Sequence, residues 1–282
     1  MTMPFNVKAD LLNQRYGQQQ KPKNFHWTPE IVTMMSHRSV RAFLPKPLAE
    51  GVIETMVAAA QSASSSGALH QWSVIAVTDP ALKQRLADTI APTVPTDRIP
   101  WIEEAAAVLV WVADLSRSEA IVKEQGGDPV VLDYLDSFLM PSIDAALAAQ
   151  NAAIAAESLG LGLVFLGVMR NAAKEISDML NLPSRSFVTF GMAVGHPDTE
   201  RPSAIRPRPA LPVVLHENTY DREGYRDFLP AYEEAFFKFR TELGMKTKTW
   251  QNAVYAATTN IEYMGGREKL RETVIERGFK LL

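Results

Sequence analysis

The run "SIDAALAAQNAAIAAESLGLG", Ser142 to Gly162, limits what this chain can fold into more than any other. It carries no lysine or arginine, small residues lie on all sides, and Gly160 stands where a helix C-cap is expected. A helix of that kind belongs in a crowded place, at the centre of a domain or in a subunit interface. Its surroundings read as alternating helices and strands. Val52, Ile53, Met56, Val57 and Ala60 recur at helical spacing after Leu48. "SVIAVTD" (Ser73 to Asp79) and "AAAVLVWVAD" (Ala105 to Asp114) are expected strands, the second too apolar for an exposed edge. "LVFLGVM" (Leu163 to Met169) is a third, and "SFVTFGMAVGHP" (Ser186 to Pro197) alternates as a fourth. Strands separated by helices without tandem βαβ units indicate an α+β domain. Residues 1–30 are polar and proline-dotted and read as an arm ahead of a domain spanning 31–282, whose last part looks helical.

Composition removes several classes of function. A net charge of −3 argues against a nucleic-acid partner. The absence of cysteine excludes disulfide scaffolds, thiolate metal sites and cysteine nucleophiles. No apolar run reaches the ~18–20 residues that span a bilayer, and the N-terminus lacks a signal-peptide core, so a soluble, cytoplasmic protein is expected. His26, His37, His70, His196 and His216 are scattered without metal-ligand spacing, so no metal site is expected. No GxGxxG follows a strand, and P-loop and GxSxG motifs are missing. An enzyme with this sequence would draw its hard chemistry from a cofactor.

Two arginine-rich motifs remain. "HRSVRAF" places Arg38 and Arg41 beside His37 and Ser39, and "IRPRPALP" places Arg206 and Arg208 between prolines. Guanidinium forks meet two phosphate oxygens at once, and the proline alternation suggests an extended segment with both arginines on one side. With the hydroxyls of Ser64, Ser65 and Ser66 they would suit a phosphorylated, polyhydroxylated ligand. Spacing alone does not bring these segments together. Surface ion pairs, a plain proline-arginine loop and a serine-rich turn account for the same residues.

The order of segments adds information. "HRSVRAFLPKPL", "AASSSGALHQWSVIAVTD", "AQNAAIAAESLGLGLVFLGVMRN", "GMAVGHP" and "RPRPALPVVLHENTY" together resemble the nitroreductase superfamily, closest to its larger oxygen-insensitive NADPH nitroreductases and flavin reductases. The resemblance runs from about Ser36 to Tyr220 and leaves the arm uncovered. It implies an intertwined α+β homodimer with a central, mostly antiparallel sheet flanked by helices, and two FMN sites each built from both chains. Carried over by position, His37, Arg38, Ser39 and Arg41 would hold the FMN phosphate, ribityl chain and pyrimidine edge, and Arg206 and Arg208 would reach the phosphate. Ser64, Ser65, Ser66 and Gly67 resemble the partner-subunit loop over the flavin. Phe165, Leu166, Gly167 and Val168 match the strand end near flavin N5. The resemblance thus implies ping-pong hydride transfer from NADPH or NADH to a nitroaromatic, quinone or related small-molecule acceptor. A fixed cation beside the pyrimidine edge would favour the charge that reduction places there. No catalytic side chain is implied.

Four places depart from the family pattern. His70 stands where glutamine is common and would respond to pH. Val168 replaces a glycine, Phe165 replaces a tyrosine, and Ala91 to Trp101 differs in length and sequence. Lys246 and Lys248 lie where relatives receive the 2′-phosphate of NADPH. A flavin reductase serving a partner, a flavin-binding protein with little turnover and a flavin-free dimer are the alternatives.

Overall fold

The computed structural model describes residues 5–96, 98–201 and 203–282. In chain order, helices α1 (Phe5–Tyr16), α2 (Pro29–Met35) and α3 (Val52–Gln61) precede strand β1 (Trp72–Val77). Helices α4 (Pro80–Ile90) and α5 (Pro100–Glu104) lead to β2 (Ala107–Asp114). Helices α6 (Ser116–Glu124) and α7 (Asp136–Ser158) lead to β3 (Gly162–Leu166). Next come α8 (Ala173–Met179), β4 (Ser186–Gly195), α9 (Tyr225–Glu242), α10 (Trp250–Thr259) and α11 (Leu270–Glu276). Contacts divide the chain into two compact units. The smaller joins the segment ending at Ser39 to Thr199–Tyr263, and the larger joins Val40–Asp198 to Met264–Leu282.

The larger unit is an α+β fold around one sheet of order β1-β2-β4-β3, antiparallel at every pairing. All of β2 is buried, as its unbroken apolar run requires. Its side chains alternate between two cores. Val108, Val110 and Val112 pack with Leu86 and Ile90 of α4 and Ile176 of α8. Ala107, Leu109 and Trp111 pack with Met56 and Ala60 of α3 and with the alanines of α7. On α7, Ala145, Ala148, Ala149, Ala152, Ala153 and Ala156 are all fully buried, so the small-residue face lets this helix lie close to α3 and the sheet. The helix ends as the sequence suggests. Gly160 takes φ +77° and the Leu161 N–H reaches back to the Ala156 carbonyl at 3.0 Å, a Schellman closure.

Of the boundaries that differ from the sequence reading, two bear on how the elements pack. Helix α7 starts at Asp136 and runs through Pro141, which gives up the one intrahelical N–H bond that its position would otherwise make. The third strand stops at Leu166 instead of Met169; residues Gly167–Ala172 form 3-10 turns. The turn is needed because Met169 folds back over Gly191, where an added Cβ would stand 2.8 Å from its methyl carbon.

An ionic staple fastens the C-terminal segment of this unit. The Arg185 fork donates to Glu119 (3.1 Å), the Leu132 carbonyl (2.9 Å) and Asp133 (2.7 Å), and Lys280 donates to Asp133 at 2.6 Å.

In the smaller unit, Leu11 of α1, Val32 of α2 and Ile205 form a small core joined by Trp27 and Met35. Residues 5–16, within the stretch read as an arm, are helical, and α1 buries Leu11, Arg15 and Tyr16. Tyr232 and Phe236 are the buried side of α9, and the Trp250 ring meets Tyr232 at 5.5 Å. Among the described residues no helix is long and apolar enough to cross a membrane.

The packing of α7 predicts that Ala152→Leu, which adds bulk where no space exists, costs about 1–3 kcal/mol. Urea denaturation should show a lower midpoint, and an unchanged midpoint would mean that the alanine face is not tightly packed.

Candidate functional site

A polar pocket of about 50 Å³ lies within the smaller unit, lined by Arg15, His37, Arg38, Ser39, Arg206 and Arg208. Its first wall follows from how α2 ends. Thr28 caps that helix by accepting the Ile31 N–H, Pro29 sits in its first turn, and the Ser36 N–H closes its last turn. His37, Arg38 and Ser39 leave the helix as extended chain, each half-buried. Arg38 is steadied by a bond from its Nε to Ser203 Oγ at 3.1 Å.

The second wall is the proline-arginine segment. Ile205, Pro207 and Ala210 are buried while Arg206 is half-buried and Arg208 exposed, so both arginines face the same way, into the pocket. The Arg206 guanidinium lies over the Phe239 ring at 5.5 Å. Burial, then the like charge of Arg208, works against the charged form of Arg206. Burial raises the Tyr232 phenol pKa, and the two arginines oppose that rise.

The third wall is Arg15. It is 7% exposed, and its fork donates to the carbonyls of Arg206 (2.9 Å), Met35 (3.0 Å) and His37 (3.1 Å). Nothing in the polar sequence of α1 marks this arginine as special, and the sequence reading missed it. Four guanidiniums, an imidazole and a hydroxyl around a space for one compact group make a site for an oxyanion. The lining residues include no carboxylate.

The structure thus brings His37, Arg38, Ser39, Arg206 and Arg208 together. Lys246 and Lys248 belong to the same unit but do not line this pocket. They sit in a loop held by Arg240, which donates to the Lys246 carbonyl at 2.7 Å, and by Glu233, whose carboxylate accepts the Trp250 and Gln251 N–H groups at 2.6 and 2.7 Å.

The remaining candidates fall in the larger unit. Arg41 is exposed. Ser64 and Gly67 are exposed and Ser65 is half-buried, while Ser66 gives both its N–H and its hydroxyl to Asp144 of α7 at 3.0 Å. Gly67, Ala68 and His70 all have positive φ, a tight course that holds the His70 ring in the open. That course is fixed from below by Arg117, which donates to the carbonyls of His70 (2.7 Å) and Trp72 (2.8 Å). Arg117 is paired in turn with Asp114 at 2.7 Å.

Phe165 is 37% exposed and meets Phe190 edge-on at 5.7 Å, whereas Leu166 is buried. Val168 packs against the core beside Met169, which is how a valine is tolerated there. Gly167 is half-buried, and a Cβ on it would stand 3.6 Å from Arg170 Nη2. Arg170 also donates to the Thr189 carbonyl at 2.6 Å, and burial, then the charge of Arg267, works against its charged form. Sequence reasoning did not single out Arg170.

The Nitroreductase family matches residues 34–196, and the Nitroreductase family, C-terminal domain, matches residues 206–282. This chain belongs to the nitroreductase family. It is 34% identical over 255 residues to a Bacillus subtilis (strain 168) protein named FMN reductase (NADPH), covering 88% of this chain and 97% of that one. A Vibrio harveyi protein named NADPH-flavin oxidoreductase is 35% identical, over 79% of this chain and 88% of the relative. The solved structure of Bacillus megaterium NfrA1 superposes with a TM-score of 0.81 at 33% identity, over 90% of this chain and 100% of that one. In this nitroreductase the family match begins at residue 34, so α1, Arg15 and Gln19 lie outside it.

Asp114 carries a pH prediction. Burial would raise its pKa, but hydrogen bonds from Ser116 and Ser73 and the charge of Arg117 outweigh it and hold the carboxyl below the usual carboxylate range. A depressed folded-state pKa gives stability that is full at neutral pH and is lost as pH falls through the acid range. Thermal melts should show a steeper acid loss for the wild type than for Asp114→Asn, and parallel curves would remove Asp114 from the balance.

Proposed function

We propose that the chain is an FMN-dependent NAD(P)H oxidoreductase acting on electron-poor small molecules such as nitroaromatics and quinones. The observation that carries the reading is the pocket in which Arg15, Arg38, Arg206 and Arg208 face one compact space. Its donor set fits a phosphate monoester: planar forks for paired oxygens, with a hydroxyl and an imidazole alongside. When bound, FMN supplies two-electron hydride transfer, taken from a reduced nicotinamide and passed to the acceptor.

The chain's own residues bind and orient. His37, Arg38, Ser39, Arg206 and Arg208 hold the phosphate end, and the stacking of Arg206 on Phe239 keeps one fork from swinging away. In the larger unit, Arg41, Ser64, Ser65, Gly67, His70 and the Phe165–Val168 turn are offered as ligands of the rest of the cofactor. Ser66 serves by shaping its loop through Asp144. Lys246 and Lys248 are proposed to receive the 2′-phosphate of NADPH. The name FMN reductase on a relative supports the variant in which free flavin is the acceptor.

A homodimer is part of the proposal. Leu135, at the cap of α7, and Leu139, Ile143 and Leu147 on the helix recur at four-residue spacing and are 48%, 44%, 55% and 44% exposed. That is an apolar stripe opposite the buried alanines, of the kind that marks an interface.

An anaerobic NADPH titration should bleach the visible absorbance of the yellow protein, and adding a nitroaromatic should restore it. Arg38→Ala or Arg206→Ala should weaken FMN binding by about 10- to 100-fold, the weight of a charge-assisted hydrogen bond. A wild-type protein that takes up no FMN would overturn the reading. Separately, Ile143→Glu should shift sedimentation from dimer to monomer, and a wild-type monomer would remove the dimer.

A further inference from the structure

We infer that the segment from α1 to Gln19 is a built-in brace of the phosphate pocket, with Arg15 and Gln19 as positioning residues that set the preference for a phosphorylated flavin. This rests on the FMN reading above and adds residues that the family match, beginning at 34, does not reach.

The argument starts from the backbone of residues 206–210. Pro207 and Pro209 have no N–H to give, and the segment belongs to no helix or strand. A backbone in that state needs partners from elsewhere. The Arg208 N–H goes to the Arg15 carbonyl at 2.8 Å, and the Ala210 N–H goes to Gln19 Oε1 at 3.0 Å. The Arg208 carbonyl accepts from Gln19 Nε2 at 2.9 Å, and the Arg206 carbonyl accepts from Arg15 Nη1 at 2.9 Å. The end of α1 and the turn after it therefore do for this segment what a neighbouring strand does in a sheet.

Arg15 also reaches the other wall. Its Nη2 donates to the carbonyls of Met35 and His37 at 3.0 and 3.1 Å. One planar fork thus sets the spacing between the segment that carries His37, Arg38 and Ser39 and the segment that carries Arg206 and Arg208. Arg15 and Gln19 are 7% and 5% exposed, burial that polar side chains of this size tolerate only when their hydrogen bonds are made. The placement is held from the far side, where Gly17, at φ +59°, lets the chain turn against Ala235 of α9. Shifting the two walls by a fraction of an ångström would leave guanidiniums that no longer meet one phosphate together. The effect is expected at the phosphate end, which the FMN reading assigns to these two walls, and comparison with riboflavin, which lacks that end, isolates it.

The test measures FMN and riboflavin affinity on the same apoprotein, by quenching of flavin fluorescence, for the wild type, Arg15→Lys and Gln19→Leu. Lysine keeps the charge but cannot bridge the three carbonyls. The expected result is a fall of about tenfold in the FMN-over-riboflavin ratio in each variant, the weight of one well-placed charged hydrogen bond. An unchanged ratio in folded variants, or equal losses for both ligands, overturns the brace. A wild type that binds neither flavin overturns the FMN reading itself. Where a variant does not fold, hydrogen exchange on the wild-type protein decides. FMN should slow exchange in residues 5–19 and riboflavin should not; equal protection by both, or none, overturns the inference.

Discussion

The complete burial of β2 is the constraint on which the larger unit rests. A strand flanked by β1 and β4 and apolar on both faces must be covered twice. On one side the cover is α4, α8 and the turns after β3; on the other it is α3 and α7. The second side works because α7 presents alanine where leucine would be usual, so the helix approaches the sheet without displacing Trp111 or Met192. The same helix carries Asp144, which receives the N–H and hydroxyl of Ser66. Core packing and the placement of a candidate ligand loop are thus fixed by one element.

The smaller unit solves a different problem, which is holding arginines side by side. Like charges in a shared pocket repel, and at Arg206 the repulsion from Arg208 adds to the larger cost of burial. The structure meets it by tying the guanidiniums to neutral groups: Arg15 to three carbonyls, Arg38 to a serine, Arg206 to an aromatic face. These contacts fix positions while leaving the pocket positive, and an anion bound there would remove the repulsion. Affinity for a phosphate is then a consequence of architecture as much as of residue type.

Parts of this were legible in the chain. The period-two alternation of β4, the unbroken apolar run of β2 and the glycine closing α7 each follow from local rules that need no tertiary knowledge. The proline alternation gave the common facing of Arg206 and Arg208. The end of β3 was not legible, because the turn at Gly167 answers to Met169 lying on Gly191, a contact between residues far apart in sequence. Nor was the start of α7, since a proline reads as a boundary until packing shows that the preceding turn is helical.

The sequence by itself determined the four strands, the helices α3 and α7 and which residue types carry charge, because periodicity, caps and turn residues act over a few positions; α1, inside the stretch read as an arm, was not among them. Only the tertiary structure decided that His37, Arg38 and Ser39 share a pocket with Arg206 and Arg208, that Ser66 is committed to Asp144, and that Arg15 belongs to the site. Those facts depend on hydrogen bonds closed over 191 positions in the case of Arg15 and Arg206. No local pattern encodes where such a bond will close. It is set by how the rest of the chain packs.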